Sequence, residues 1–176
     1  VGPVSNHVSG AQLIDGLSLD SPAAIEAYAR DRAQTHAGQV RAADRLVGFC
    51  LLIRDKVLTD IGLFDERFGL GNFEDDDYGR RAMAAGYGLR IADASFVYHF
   101  GHRTFHALAF TTDDFDALLA ENAAKYAEKW DLALDETGYP QTRALYLHGQ
   151  AIALREAGDR EGALAAFVAA LKAYPH

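Results

Sequence analysis

Arg45-Leu46-Val47-Gly48-Phe49-Cys50-Leu51-Leu52-Ile53 is an almost unbroken apolar run, bounded by charge at Asp44-Arg45 and Arg54-Asp55. Such a run suits a strand buried on both faces, in a sheet covered by helices on either side. It predicts an α/β fold. Helix signals flank it. Upstream, Asp20-Ser21-Pro22 combines capping side chains with a proline at an early helical position. That predicts a helix to about His36, with Ala24, Ile25, Tyr28 and Ala29 on one face and Ala37-Gly38 as its stop. Downstream, a short helix from Asp55 to Ile61 stops at Gly62, and residues 62–72, rich in Gly, Phe and Asp, read as a loop.

The loop leads into Glu74-Asp75-Asp76-Asp77, which opens a helix closed by Ala85-Gly86. Acidic residues in a first turn cap free amides and suit the macrodipole; Asp77 is the expected cap. Residues 88–98 predict two short strands, Leu89–Ile91 and Ser95–Tyr98. Residues 1–19 show no sustained period and read as irregular. Thr112-Asp113-Asp114 starts another helix, running to about Trp130, with Phe115, Leu118, Leu119, Ala123, Tyr126 and Trp130 as a docking stripe. Residues 131–140 read as a linker. Two further helices, about 142–157 and 160–173, are separated by Gly158-Asp159 and form an all-α hairpin. The expected division is residues 1–131 and 140–176.

Composition narrows the function. The formal net charge is −8 and the basic clusters are short, which argues against a nucleic-acid or anionic-membrane partner. Cys50 is the single cysteine, so no intrachain disulfide forms; within its apolar run it reads as a buried small hydrophobe. No stretch approaches the roughly 20 apolar residues that span a bilayer. The opening Val1-Gly2-Pro3-Val4-Ser5-Asn6 has neither the charged nor the apolar region of a signal peptide. The expectation is a cytoplasmic protein without a transmembrane segment, read here as a fragment of a longer chain.

Four blocks carry a family resemblance. They are Gly48-Phe49-Cys50-Leu51-Leu52-Ile53-Arg54; Ile61-Gly62-Leu63-Phe64-Asp65-Glu66-Arg67-Phe68-Gly69; Gly71-Asn72-Phe73-Glu74-Asp75-Asp76-Asp77-Tyr78 with Arg81 and Ala85-Gly86-Tyr87; and His99-Phe100-Gly101-His102-Arg103-Thr104-Phe105. In this order and spacing they resemble the C-terminal half of the glycosyltransferase family 2 catalytic domain, of the GT-A fold. Gly2-Pro3-Val4-Ser5-Asn6 resembles a segment just upstream in members that carry helical repeats. Leu147, Ala151, Leu154, Gly158, Ala163, Phe167, Ala170 and Pro175 resemble one tetratricopeptide repeat. The family's donor-binding half, with its DxD metal motif, has no counterpart among these residues. The acidic run opens a helix and matches the family's later Glu-Asp pair instead.

The resemblance implies an inverting transferase that moves a sugar from a nucleoside-diphosphate sugar, a UDP-sugar first of all, to a hydroxyl of a carbohydrate or protein/peptide acceptor. It implies a divalent metal, Mn²⁺ or Mg²⁺. Asp75 becomes the catalytic base. Glu74, Gly71 and Asn72 become acceptor-binding residues, His99 a metal ligand, and His102 and Arg103 donor phosphate-binding residues. The residues themselves allow part of this. Crowded carboxylates disfavour full ionisation and can make one a better base, while the helix N-terminus favours the anion. The plainer readings are a solvated acidic cap, a histidine bonded to a backbone carbonyl, and an Arg103 salt bridge to the acidic run. A zinc site at His99, His102 and His106 lacks a fourth ligand at usual spacing. A calcium loop at Asp75–Gly79 has the wrong ligand spacing and no Glu at the closing position. No Gln-x-x-Arg-Trp follows the base, which favours single addition over polymerisation. The rival function is a non-catalytic protein-binding module built on a transferase remnant plus the helical repeat, whose stacked hairpins would offer a concave surface.

Overall fold

The computed structural model describes residues 1–101, 103, 107–141 and 158–173. The expected helix at 142–157, His102, and Leu147, Ala151, Leu154 and Pro175 of the repeat pattern lie outside the described residues, as do the side chains of Phe167 and Ala170. The fold is mixed α/β. The chain divides into two compact units, residues 1–69 with 73–111, and residues 70–72 with those from Thr112 onward.

The first unit is built on a three-stranded sheet whose longest strand is central. Strand β1 (Gly2–Val4) runs parallel to β3 (Leu89–Phe96), and β2 (Val40–Ala43) runs antiparallel to it. Helix α1 (Pro22–Thr35) packs on β3, with Tyr28 edge-on to Phe96 at 4.9 Å. Its start is as expected: the Ser21 hydroxyl accepts from Ala24 N–H, and Pro22 begins the helix. Helices α2 (Asp55–Ile61) and α3 (Glu74–Ala84) follow, and α2 ends at Gly62 with φ +79. Val4, Leu46, Val57, Tyr78, Ala82, Leu89 and Ile91 form the core.

The apolar run at 45–53 is not a strand. Its amides are satisfied one at a time. Val47 N–H donates to Gln12 Oε1 at 2.7 Å, Gly48 N–H to Asp75 Oδ2 at 2.5 Å, and Leu52 N–H to the Val1 carbonyl at 2.9 Å. With those partners available no ladder is needed. The run instead lines the core with Leu46, Leu51 and Ile53, while Leu52 is 75% exposed. Cys50 is half-buried rather than buried.

The sheet forms where the sequence reads as weak. β1 contains Gly and Pro, and Pro3 is tolerated because β1 is an edge strand. β2 is exposed, so it lacks an apolar pattern. The two expected strands at 88–98 are one. Asp93, between the two expected strands, is held by ion pairs to Arg41 at 3.0 Å and Arg32 at 3.8 Å. The Arg32 guanidinium also donates to the Asp93 carbonyl at 2.7 Å.

In the second unit, α4 (Thr112–Trp130) buries Asn122, Ala123 and Ala127, while Leu119 of the expected stripe is 36% exposed. The expected linker holds a hairpin of β4 (Ala133–Leu134) and β5 (Pro140–Gln141). Asp135 stitches it by accepting from the Thr137 and Tyr139 amides, the Thr137 hydroxyl and the Gln141 side chain. The Thr137 hydroxyl bond leads in lowering the Asp135 pKa to about 2. Helix α5 (Arg160–Ala173) starts where expected, with Asp159 accepting from Gly162 N–H.

Candidate functional site

The acidic run divides by partner. Asp76 is paired with Arg45, whose guanidinium also reaches the Ser9 hydroxyl at 2.8 Å. Asp77, fully buried, accepts from Arg81 Nε at 2.8 Å. Arg81 also donates to the Ile61 and Leu63 carbonyls, at 2.7 and 2.8 Å, and so locks the loop after α2 onto α3. Asp77 is therefore an ion-pair anchor, not the expected cap. The cap position falls to Phe73, a buried residue in left-handed conformation with φ 71 and ψ −9.

Asp75 and Glu74 are held differently. Asp75 is 8% exposed. Its carboxylate accepts from Gly48 N–H at 2.5 Å and from its neighbour's amide, Asp76 N–H, at 2.8 Å. Burial raises the Asp75 pKa, and repulsion from Asp76 adds to it; the two amides and Arg45 pull the other way. Glu74 is raised by burial first, then by Asp75. Its Oε2 is buried with no hydrogen-bond partner among the described residues. The run thus contains two anchored carboxylates and two that resist ionisation, which is how a general base is brought nearer neutral pH.

Asp75 also lines a cavity of about 290 Å³ with Leu46, Leu51, Ile53, Val57 and Tyr78 among its walls. Gly48 is small of necessity here: a Cβ on it would lie 2.9 Å from Asp75 Cβ.

His99 lies just past the C-terminal end of β3, beside residues 5–7 that follow β1. In open α/β sheets the crevice at carboxyl strand ends is where ligands bind. His99 Nδ1 is 2.6 Å from the His7 carbonyl. A carbonyl only accepts, so Nδ1 carries the proton, and the neutral ring keeps its lone pair on Nε2. Phe49 stacks on the ring with centroids 5.3 Å apart and planes at 25°. The consecutive residues Gly48 and Phe49 therefore touch Asp75 and His99 respectively. Among the described residues, no three of His, Cys, Asp and Glu converge where a metal ion could sit. His99 offers one ligating nitrogen.

Gly71 and Asn72 belong to the second unit, where the Gly71 carbonyl accepts from the buried Asn122 side chain at 2.7 Å. Gly69 and Gly71 both have positive φ, at +57 and +118, as their composition suggests. Arg103 is exposed over the Phe100 ring at 5.4 Å, and among the described residues the ion pairs of the acidic run go to Arg45 and Arg81 instead. His102 lies outside the described residues. Sequence reasoning missed Asn6, His7, Gln12 and Arg45. Their roles depend on which chain segments the fold makes neighbours, and the one available signal was the polar Ser5-Asn6-His7 directly after Pro3-Val4. Comparison of the chain with family models, with curated proteins and with solved structures gives no match in any of the three.

Proposed function

We propose that this chain is the acceptor-side, catalytic-base half of an inverting glycosyltransferase of the GT-A type, acting on a nucleoside-diphosphate sugar with a divalent metal. One observation carries the reading: Asp75, almost fully buried, is held by two amides at the start of α3 with its pKa raised and a second raised carboxylate beside it. A solvated acidic cap would also accept from amides, but it would be neither buried nor raised in pKa.

In the proposed reaction an acceptor hydroxyl attacks the anomeric carbon of the donor. The new carbon–oxygen bond forms as the bond to the diphosphate breaks, and the configuration inverts. Asp75 takes the hydroxyl proton, and the nucleoside diphosphate leaves with the bonding pair. The Glu74 Oε2 without a partner is suited to accept from an acceptor hydroxyl. His99, with its lone pair on Nε2, fits as one ligand of Mn²⁺ or Mg²⁺, the remaining ligands coming from the donor-binding half. When bound, that ion supplies charge balance for the leaving diphosphate.

The test is calorimetric titration of UDP and Mn²⁺, together and separately, into the 176-residue chain and into a longer chain that also carries a donor-binding half. The expected result is Mn²⁺-dependent UDP binding by the longer chain alone, weakened by His99→Ala. Binding that ignores Mn²⁺ and His99→Ala removes the metal role. Turnover by the 176 residues alone removes the half-enzyme reading.

A further inference from the structure

Past the last β1–β3 contacts, at Val4 and Phe96, Val97 N–H still donates to the Val4 carbonyl at 3.1 Å. Beyond that point a side chain takes over the ladder. Asn6 Nδ2 donates to the His99 carbonyl at 3.2 Å, and His99 N–H donates to Asn6 Oδ1 at 2.8 Å. One primary amide thus makes both bonds that an opposing strand residue would make. The same crossing brings the His7 carbonyl to His99 Nδ1 at 2.6 Å. Phe49 covers one ring face, and the His7 ring stands edge-on at 5.7 Å. Gly101 closes the His7 side, since a Cβ there would lie 3.2 Å from His7 Nε2.

We propose that Asn6 is a positioning residue, whose side-chain amide pins the His99 backbone so that the imidazole stays in its Nδ1–H tautomer, leaving Nε2 as the nitrogen available to a divalent cation. This rests on the metal-ligand reading of His99 given above. The His7 carbonyl on Nδ1 is the kind of partner that holds both tautomer and ring direction in ligating histidines. A primary amide donates from one atom and accepts on another, as these two bonds require. Asp at position 6 keeps the acceptor and loses the donor; Ala loses both.

The first readout needs no activity and no metal. Long-range ¹H–¹⁵N correlation of the ¹⁵N-labelled 176-residue chain, at a pH where imidazoles are neutral, identifies which His99 nitrogen is protonated. The wild type is expected to show Nδ1–H, and this reading stands even if a variant misfolds. Asn6→Ala is expected to move His99 toward Nε2–H, with Asn6→Asp between the two. His99 as Nε2–H in the wild type, or an unchanged tautomer in Asn6→Ala, overturns the proposal. The second readout is Mn²⁺-dependent UDP affinity of the longer chain, expected to fall about 10- to 100-fold in Asn6→Ala and to be partly restored in Asn6→Asp. If the tautomer responds but no form binds UDP with Mn²⁺, the clamp stands and the transferase reading fails. If affinity falls with the tautomer unchanged, the clamp fails and the transferase reading stands.

Discussion

Gly48→Ala is the smallest change that acts on the proposed base. The added methyl would lie 2.9 Å from Asp75 Cβ, 3.2 Å from Oδ2 and 3.4 Å from Cγ. The first distance is too short for two carbons. Asp75 Cβ is fixed to the first turn of α3, so it cannot swing aside as the tip of a long side chain would. The 45–53 segment must retreat, and the Gly48 N–H bond to Oδ2 is the contact it gives up. Overpacking of this kind costs about 1–3 kcal/mol. Losing a hydrogen bond to a charged group costs about 1.5–3 kcal/mol. Because retreat relieves the clash while breaking the bond, the two do not fully add, and about 2–4 kcal/mol is the expected loss. That amide also opposes the rise in the Asp75 pKa, so its removal should push the carboxyl further up. Urea unfolding measures the stability, and carboxyl-carbon NMR titration follows Asp75. A loss below about 0.5 kcal/mol with an unchanged Asp75 titration would refute the contact and the coupling argued from it.

Arg81→Met removes the Arg81 guanidinium from the fully buried Asp77 and from the Ile61 and Leu63 carbonyls. Breaking a buried pair from one side costs about 3–5 kcal/mol, so urea unfolding should show much of the unit's stability gone; Arg81→Lys, able to meet fewer of the three acceptors, should rescue only part. Burial, first of all, raises the folded pKa values of Asp75 and Glu74 above those of ordinary carboxylates. The folded state therefore holds protons that the unfolded chain has released, so their contribution is most favourable below the ordinary carboxylate range and is lost as pH rises through the raised values. Asp75→Asn removes one such site, and its stability relative to wild type, read from urea midpoints, should grow as pH rises from about 4 towards 7; a constant difference would count against the raised pKa.

How much of this was legible depends on whether a residue's partner is local. Ser21 and Pro22 announce α1 because a cap bonds within its own first turn, and Gly62 ends α2 for the same reason. The acidic run opens α3 as read. The 45–53 run misleads because its amides are met by Gln12, Asp75 and Val1, each far off in sequence, which the apolar pattern cannot disclose. β1 and β2 are too short, and β2 too exposed, to leave a period-2 signature. Asp77 reads as a cap in isolation, and its burial against Arg81 is a tertiary fact. Asp75 and His99 could be singled out by resemblance, but their link through Gly48 and Phe49 could not. The Asn6 and His7 contacts exist only because β1 and β3 run parallel side by side.

The most direct test of the central claim is the effect of Asp75→Asn on sugar transfer, in a longer chain carrying a donor-binding half. A panel of UDP-hexoses with UDP release as the readout serves where the acceptor is unidentified. The expected result is a fall in kcat of about 10²- to 10⁴-fold, little change in UDP affinity, and a wild-type rate that rises with pH above the ordinary aspartate range. An Asp75→Asn enzyme within about threefold of the wild-type rate, far short of what loss of a general base removes, would contradict it.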